Sequence, residues 1–288
     1  MKLRLTPGVL LLAGLMLGST TSCTTTGVSS RANQRFIFLC FGQSNMEGYP
    51  GTIEEQDKTV DSRFQVLAAV DFPSLGRTNG NWYPAIPPLC RPGCGLCPAD
   101  YFGRTLVANL PENIRVGVIN VSVAGCKIEM FQKTNYESYV SGQASWMKNI
   151  VKQYGNNPYA RLVELAKQAQ KEGVIKGILV HQGESNGGDR QWGAKVKGVY
   201  EDLLKDLDLK PESVPLLAGE LVGSAGVVAQ LPQAVPTGYV ISSKGCGGQP
   251  GGVHFNSAGY RELGKRYGEK MLELLGYPLK QPATQPEK

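Results

Sequence analysis

Six consecutive apolar residues, Phe36 to Phe41, lie between the polar pair Gln34-Arg35 and Gly42. A run this short and this evenly apolar fits a strand covered on both faces better than an amphipathic helix, which would interleave polar positions. Similar runs follow at Val116 to Val121, Ile175 to Val180, Val214 to Ala218 and Gly238 to Ile241. Segments of helical period separate them. Tyr159 to Lys171 places Leu162, Leu165, Ala166 and Ala169 on one stripe, with Pro158 near its start and Gly173 past its end. Arg190 to Leu207 repeats the pattern through Trp192, Val196, Val199, Leu203 and Leu207. The segment Ser257 to Leu275 does so through Tyr260, Leu263, Tyr267, Met271 and Leu274. Doubly buried strands alternating with one-sided helices predict an α/β fold, a three-layer α/β/α sandwich around a mostly parallel central sheet. No helix is visible straight after the first strand. Residues 50–100 carry many Pro and Gly and read as a long excursion pinned by cysteines, of the kind that shapes a binding surface at strand ends.

Polar clusters stand where these apolar runs stop. The 288 residues include only two histidines, and imidazole is the side chain that exchanges protons most readily near neutral pH. His254 lies in Gly-Gly-Val-His-Phe-Asn before the last helix. His181 ends the third apolar run and opens His-Gln-Gly-Glu-Ser-Asn. Ser44, in Gly-Gln-Ser-Asn-Met after the first run, is the candidate nucleophile, and His254 is the candidate base that takes its proton. Glu184 is the candidate carboxylate for Nδ1 of His254, and His181 is expected to orient its own loop. Developing negative charge on a carbonyl oxygen needs N–H donors. The backbone of Ser44, the backbone of Gly125 after the second run and the side chain of Gln182, or else of Asn186, are the candidates. Gln43, Trp82 and His181 are candidate substrate contacts, and Tyr83 and Trp146 could also stack on sugar rings.

The first residues read as an export signal: Lys2 and Arg4, an apolar stretch from Pro7 to Leu17 too short to span a bilayer, then small residues up to Cys23. Cys23 is the candidate site of a bacterial lipid anchor. The expected organisation is a signal over 1–22, a tether over 23–34, one domain over 35–277 and a tail over 278–288. Location is then periplasmic, outer-membrane or extracellular, with membrane attachment through the N-terminal lipid alone. The net charge of +6 is scattered rather than gathered in a stripe, which argues against a nucleic-acid partner. Six further cysteines, Cys40, Cys90, Cys94, Cys97, Cys126 and Cys246, form an even set that favours disulfides in an exported chain, with buried free thiols as the alternative.

Gly-Gln-Ser-Asn-Met at 42–46, the isolated Gly125, His-Gln-Gly-Glu-Ser-Asn at 181–186 and Val-His-Phe at 253–255 together resemble the SGNH-type hydrolases. Within these the chain is similar to the carbohydrate esterase group of acetylxylan esterases and to sialate O-acetylesterase domains, over about residues 35–275. The resemblance implies Ser44 as nucleophile and His254 as base, with Gly125 and Gln182 joining the Ser44 N–H around the oxyanion. It further implies an acetylated polysaccharide or oligosaccharide as substrate, and no metal or organic cofactor. In that family an aspartate commonly stands three residues before the late histidine. Here that position is Gly251, and Gly252 offers no carboxylate either, so the role falls to Glu184 or the enzyme works with a weakened Ser-His pair; Glu220 is a further candidate carboxylate. Two alternatives remain open: a lipase or thioesterase of the same fold, or a decayed carbohydrate-binding surface protein.

Overall fold

The computed structural model describes Met1–Lys2 and residues 34–280. The rest of the signal-like segment, Cys23, most of the tether and the last eight residues lie outside the described residues. Seven strands make one sheet: β1 (Gln34–Gly42), β2 (Phe64–Leu67), β3 (Trp82–Pro84), β4 (Ile114–Ser122), β5 (Val174–His181), β6 (Leu216–Gly219) and β7 (Gly238–Ile241). Their spatial order is β3-β2-β4-β1-β5-β6-β7. Every neighbouring pair is parallel except β2 with the edge strand β3. The expected α/β sandwich is therefore the observed architecture.

Alternation along β1 divides the core in two. Ile37, Leu39 and Phe41 face one layer, together with Leu162, Ala166, Val196 and Leu203 from the helices Pro158–Ala169 and Trp192–Asp206. Phe36, Phe38 and Cys40 face the other, together with Phe102 and Leu106 of the helix Pro98–Asn109 and Tyr260, Leu263 and Met271 of the helix Ser257–Leu275. Each face of the strand has its own cover, which is why the run reads as continuously apolar.

The excursion over 50–100 differs from its expectation. It contains β2 and β3, and the helix Pro98–Asn109 follows it. All six described cysteines are free thiols, so no disulfide pins it. Arg77 does so instead. This nearly buried guanidinium donates to the carbonyls of Pro88 (2.8 Å), Pro84 (3.3 Å) and Ile86, satisfying loop carbonyls that regular structure would otherwise have taken up.

Topology sets where a site can form. The chain leaves β1 toward β2 on one side of it and leaves β5 toward β6 on the other. Diverging connections open a crevice outside the carboxyl ends of the strands. Gly42 pairs with Ser122 of β4 and His181 of β5, so these three residues share one level at that end.

Candidate active site

Gly42 lets β1 finish in contact with its neighbour. Its φ is +157°, and a Cβ there would lie 2.1 Å from the His181 carbonyl oxygen, so only glycine fits. The chain then turns into the single helical turn Ser44–Glu47, which places the hydroxyl at the mouth of the crevice. The Ser44 side chain faces the ring of His254, delivered by the loop before the last helix. Ser44 Oγ and His254 Nε2 are 2.9 Å apart across 210 residues of sequence. Burial pushes the His254 imidazole below its ordinary range, and the Glu184 charge works in the opposite direction.

Asn45 fixes this approach, and the sequence reading gave it no role. Its amide nitrogen donates to the Val253 carbonyl (2.9 Å) and to Glu184 Oε1 (2.5 Å). Its oxygen accepts from the Phe255 N–H (3.2 Å) and the Tyr260 hydroxyl (2.8 Å). One side chain thus holds the peptide on each side of His254. The available signal was its position directly after the serine.

Glu184 is not placed as expected. No hydrogen bond joins it to His254. Its Oε1 accepts from Asn45 and lies 3.4 Å from His181 Nε2, and its Oε2 is buried without a partner. Burial raises the Glu184 carboxyl, but neighbouring His181 and the Asn45 amide outweigh that and hold it below the ordinary glutamate range. Glu220 is engaged elsewhere, accepting from Ser242 Oγ and the Ser243 N–H, each at 2.9 Å. His181 is fully buried with its ring edge toward Phe255, so it supports the loop and cannot reach a substrate.

The amide candidates also separate. Gln182 Nε2 donates within a buried network, to Asn186 Oδ1 (2.6 Å), Gln43 Oε1 (3.1 Å) and the Cys126 carbonyl (3.2 Å). Its oxygen accepts from Trp192 Nε1 at 2.5 Å. Asn186 Nδ2 donates to Asp189 (3.1 Å) and Glu129 (3.3 Å). Neither amide has an N–H left for a substrate in this arrangement. Gln43 is nearly buried, its oxygen also facing the N–H groups of Ser185 (3.3 Å) and Gly183 (3.4 Å). The backbone N–H groups of Ser44 and Gly125, by contrast, have no acceptor among the described residues. Gly125 has φ +68° and lies under the Trp146 ring. The peptide before it is held by Glu47, whose Oε1 accepts from the Ala124 N–H (3.2 Å) and from Arg91 Nε (2.8 Å). Burial raises the Glu47 carboxyl, with Arg91 opposing the rise.

Trp82 is not brought here. It sits near the amino-terminal end of the sheet, under Arg35 (4.2 Å from guanidinium to ring) and donating to Glu172 at 3.1 Å. Among the described residues no three His, Cys, Asp or Glu side chains are grouped as a metal would require.

A mostly parallel α/β sandwich whose first strand hands a serine to a histidine from the last loop defines a class, that of the SGNH-type carbohydrate esterase fold. The chain belongs to the family described as carbohydrate esterase, sialic acid-specific acetylesterase, which matches residues 34–273. Its structure is similar to that of a protein from Arabidopsis thaliana, with TM-score 0.63 and 21% identity over 84% of this chain and 98% of that one. NanS is similar at TM-score 0.61 and 14% identity, over 85% of this chain and 98% of that one. A carbohydrate acetylesterase from Xanthomonas citri gives TM-score 0.57 and 18% identity, over 83% of this chain and 56% of that one. At these identities the likeness is one of fold.

Proposed function

We propose that this chain is a serine carbohydrate esterase that removes O-acetyl groups from a polysaccharide or oligosaccharide through an acetyl-enzyme. His254 takes the Ser44 proton as Oγ attacks the acetyl carbonyl. The N–H groups of Ser44 and Gly125 stabilise the oxyanion, a donor role in which each loss costs roughly 3–4 kcal/mol in related chemistry. Collapse expels the sugar hydroxyl, to which His254 returns the proton, and water repeats the sequence on the acetyl group. Glu184 acts on His254 through its charge and through Asn45. No metal or organic cofactor enters this route. Export through the N-terminal signal, with a lipid on Cys23, would place the enzyme among periplasmic or extracellular glycans.

The observation that carries the reading is the 2.9 Å contact between Ser44 Oγ and His254 Nε2, a nucleophile–base distance. Acetate release from acetylated xylan and from an aryl acetate tests it. Ser44→Ala and His254→Ala, each verified as folded by circular dichroism, should lower turnover at least about a thousandfold. Near-normal turnover in either folded variant rejects the assignment.

A further inference from the structure

Large apolar side chains that stay exposed are informative when they gather at one place. Among the described residues, Tyr49 (52% exposed), Trp146 (53%) and Val253 (53%) are of this kind: Val253 adjoins His254 in the chain, Tyr49 packs on the His254 ring and Trp146 packs on Gly125. Tyr49 stands edge-on to His254, with ring centroids 5.3 Å apart. Trp146 packs on Gly125 instead. A Cβ built on Gly125 would come within 2.9 Å of the Trp146 Cη2 atom, so the indole covers the glycine whose N–H has no acceptor among the described residues. Trp146 is in the first turn of the helix Ser145–Gln153 and Tyr49 directly follows the nucleophile turn and Gly48, so ordered backbone sets both. Neither the indole N–H nor the phenol oxygen has a hydrogen-bond partner among the described residues.

We propose that Tyr49 and Trp146 are a carbohydrate platform on which pyranose rings of an acetylated oligosaccharide stack, one on each side of the reacting ester. This rests on the esterase reading and names its substrate class. Aromatic faces suit the C–H faces of sugar rings, and an amphipathic ring with an open polar end can also bond a hydroxyl. The hydroxyl released in the reaction must receive a proton from His254, so the sugar bearing the ester lies on the Tyr49 side. A ring on Trp146 then belongs to the neighbouring residue of the same glycan. The preferred substrate is therefore an acetylated oligosaccharide rather than a free monosaccharide acetate or a small alkyl acetate. Trp82, bound by Arg35 and Glu172 at the far end of the sheet, plays no part.

The test compares partially acetylated xylo- and gluco-oligosaccharides with ethyl acetate, which has no ring to stack. Trp146→Ala should raise KM for the oligosaccharide acetates about tenfold with kcat largely kept, Trp146→Phe should recover part of the loss, and ethyl acetate turnover should be unchanged. Tyr49→Ala should act in the same direction. Equal losses on both substrate types would overturn the proposal, because they would mean that the indole merely shapes Gly125. So would unchanged KM, or a wild type that turns over ethyl acetate but none of the glycans. A separate readout is quenching of tryptophan fluorescence by unacetylated oligosaccharides. Quenching that vanishes in Trp146→Ala upholds the platform even if Ser44→Ala disproves the esterase. Esterase activity without Trp146-dependent binding does the reverse.

Discussion

His254 has no carboxylate on its own loop, because Gly251 and Gly252 stand where an aspartate would serve. Its proton affinity is then set by burial, which disfavours the imidazolium, and by the Glu184 charge, which favours it without a direct hydrogen bond. Burial wins, so the ring stays neutral and basic below the ordinary histidine value of about 6.5. The acid limb of the kcat/KM–pH profile should accordingly fall below that value. Glu184→Gln removes the one charge that raises the affinity, so the limb should move to still lower pH. A limb that moves upward in this variant would contradict the assigned electrostatics, and stopped-flow hydrolysis of an aryl acetate measures it. Single residues were legible to different degrees. Ser44 and Gly125 stand out in sequence because polar or glycine residues abruptly end apolar runs, and His254 because it is one of only two histidines. Whether Gln182 or Asn186 keeps a free N–H is not legible in sequence, because that depends on which partners consume its donors. Trp192, which holds the Gln182 oxygen, showed in sequence only as part of an apolar helical stripe.

Elements that bury a full face were readable from period alone, and Ser257–Leu275 falls at its expected bounds. The helices Pro158–Ala169 and Trp192–Asp206 lie within a few residues of theirs, as frayed ends generally do. The strands β2 and β3 were missed because they are only four and three residues long and lie inside loop-like composition. What joins that excursion to the active site is an ion pair that sequence cannot reveal. Arg91 Nη2 lies 2.8 Å from Glu47 Oε1, with the carboxylate side chain 1% exposed. Glu47 ends the turn that Ser44 begins, and the same oxygen holds the Ala124 N–H. Removing Arg91 would leave a buried carboxylate without its cation, a loss of about 3–5 kcal/mol for such pairs. Arg91→Met should therefore lower the urea midpoint markedly, and the double variant Arg91→Met/Glu47→Gln should regain part of it. Equal stability of the single and double variants would show that the charge left behind is not what matters.

Across the whole molecule, the cysteines best separate what composition implies from what packing decides. Their even number, with a signal-like N-terminus, favours disulfides over buried free thiols, yet all six described cysteines are free. Parity counts thiols but says nothing of geometry, and the sandwich distributes them among its layers. Cys126 belongs to the layer with the Pro158–Ala169 helix, whereas Cys40 and Cys97 belong to the opposite one. Only the thiolate attacks a disulfide or an alkylating reagent. Burial pushes the thiols of Cys40, Cys97 and Cys126 far above their ordinary range. Cys90 is also buried, its sulfur 3.1 Å from the Tyr154 hydroxyl. Cys94 is partly exposed, yet neighbouring Cys90 and burial push its thiol up as well. Cys246 is partly exposed, and its thiol is raised as well. A chain in which burial rather than pairing protects sulfur should show two distinct titrations. Ellman's reagent should label the native protein slowly and only at Cys94 and Cys246, whereas denaturation without reductant should release all six. Fewer than six thiols after denaturation of freshly purified protein would mean that the sulfurs pair, and the loop at 90–97 would then be held covalently rather than by Arg77 and Arg91.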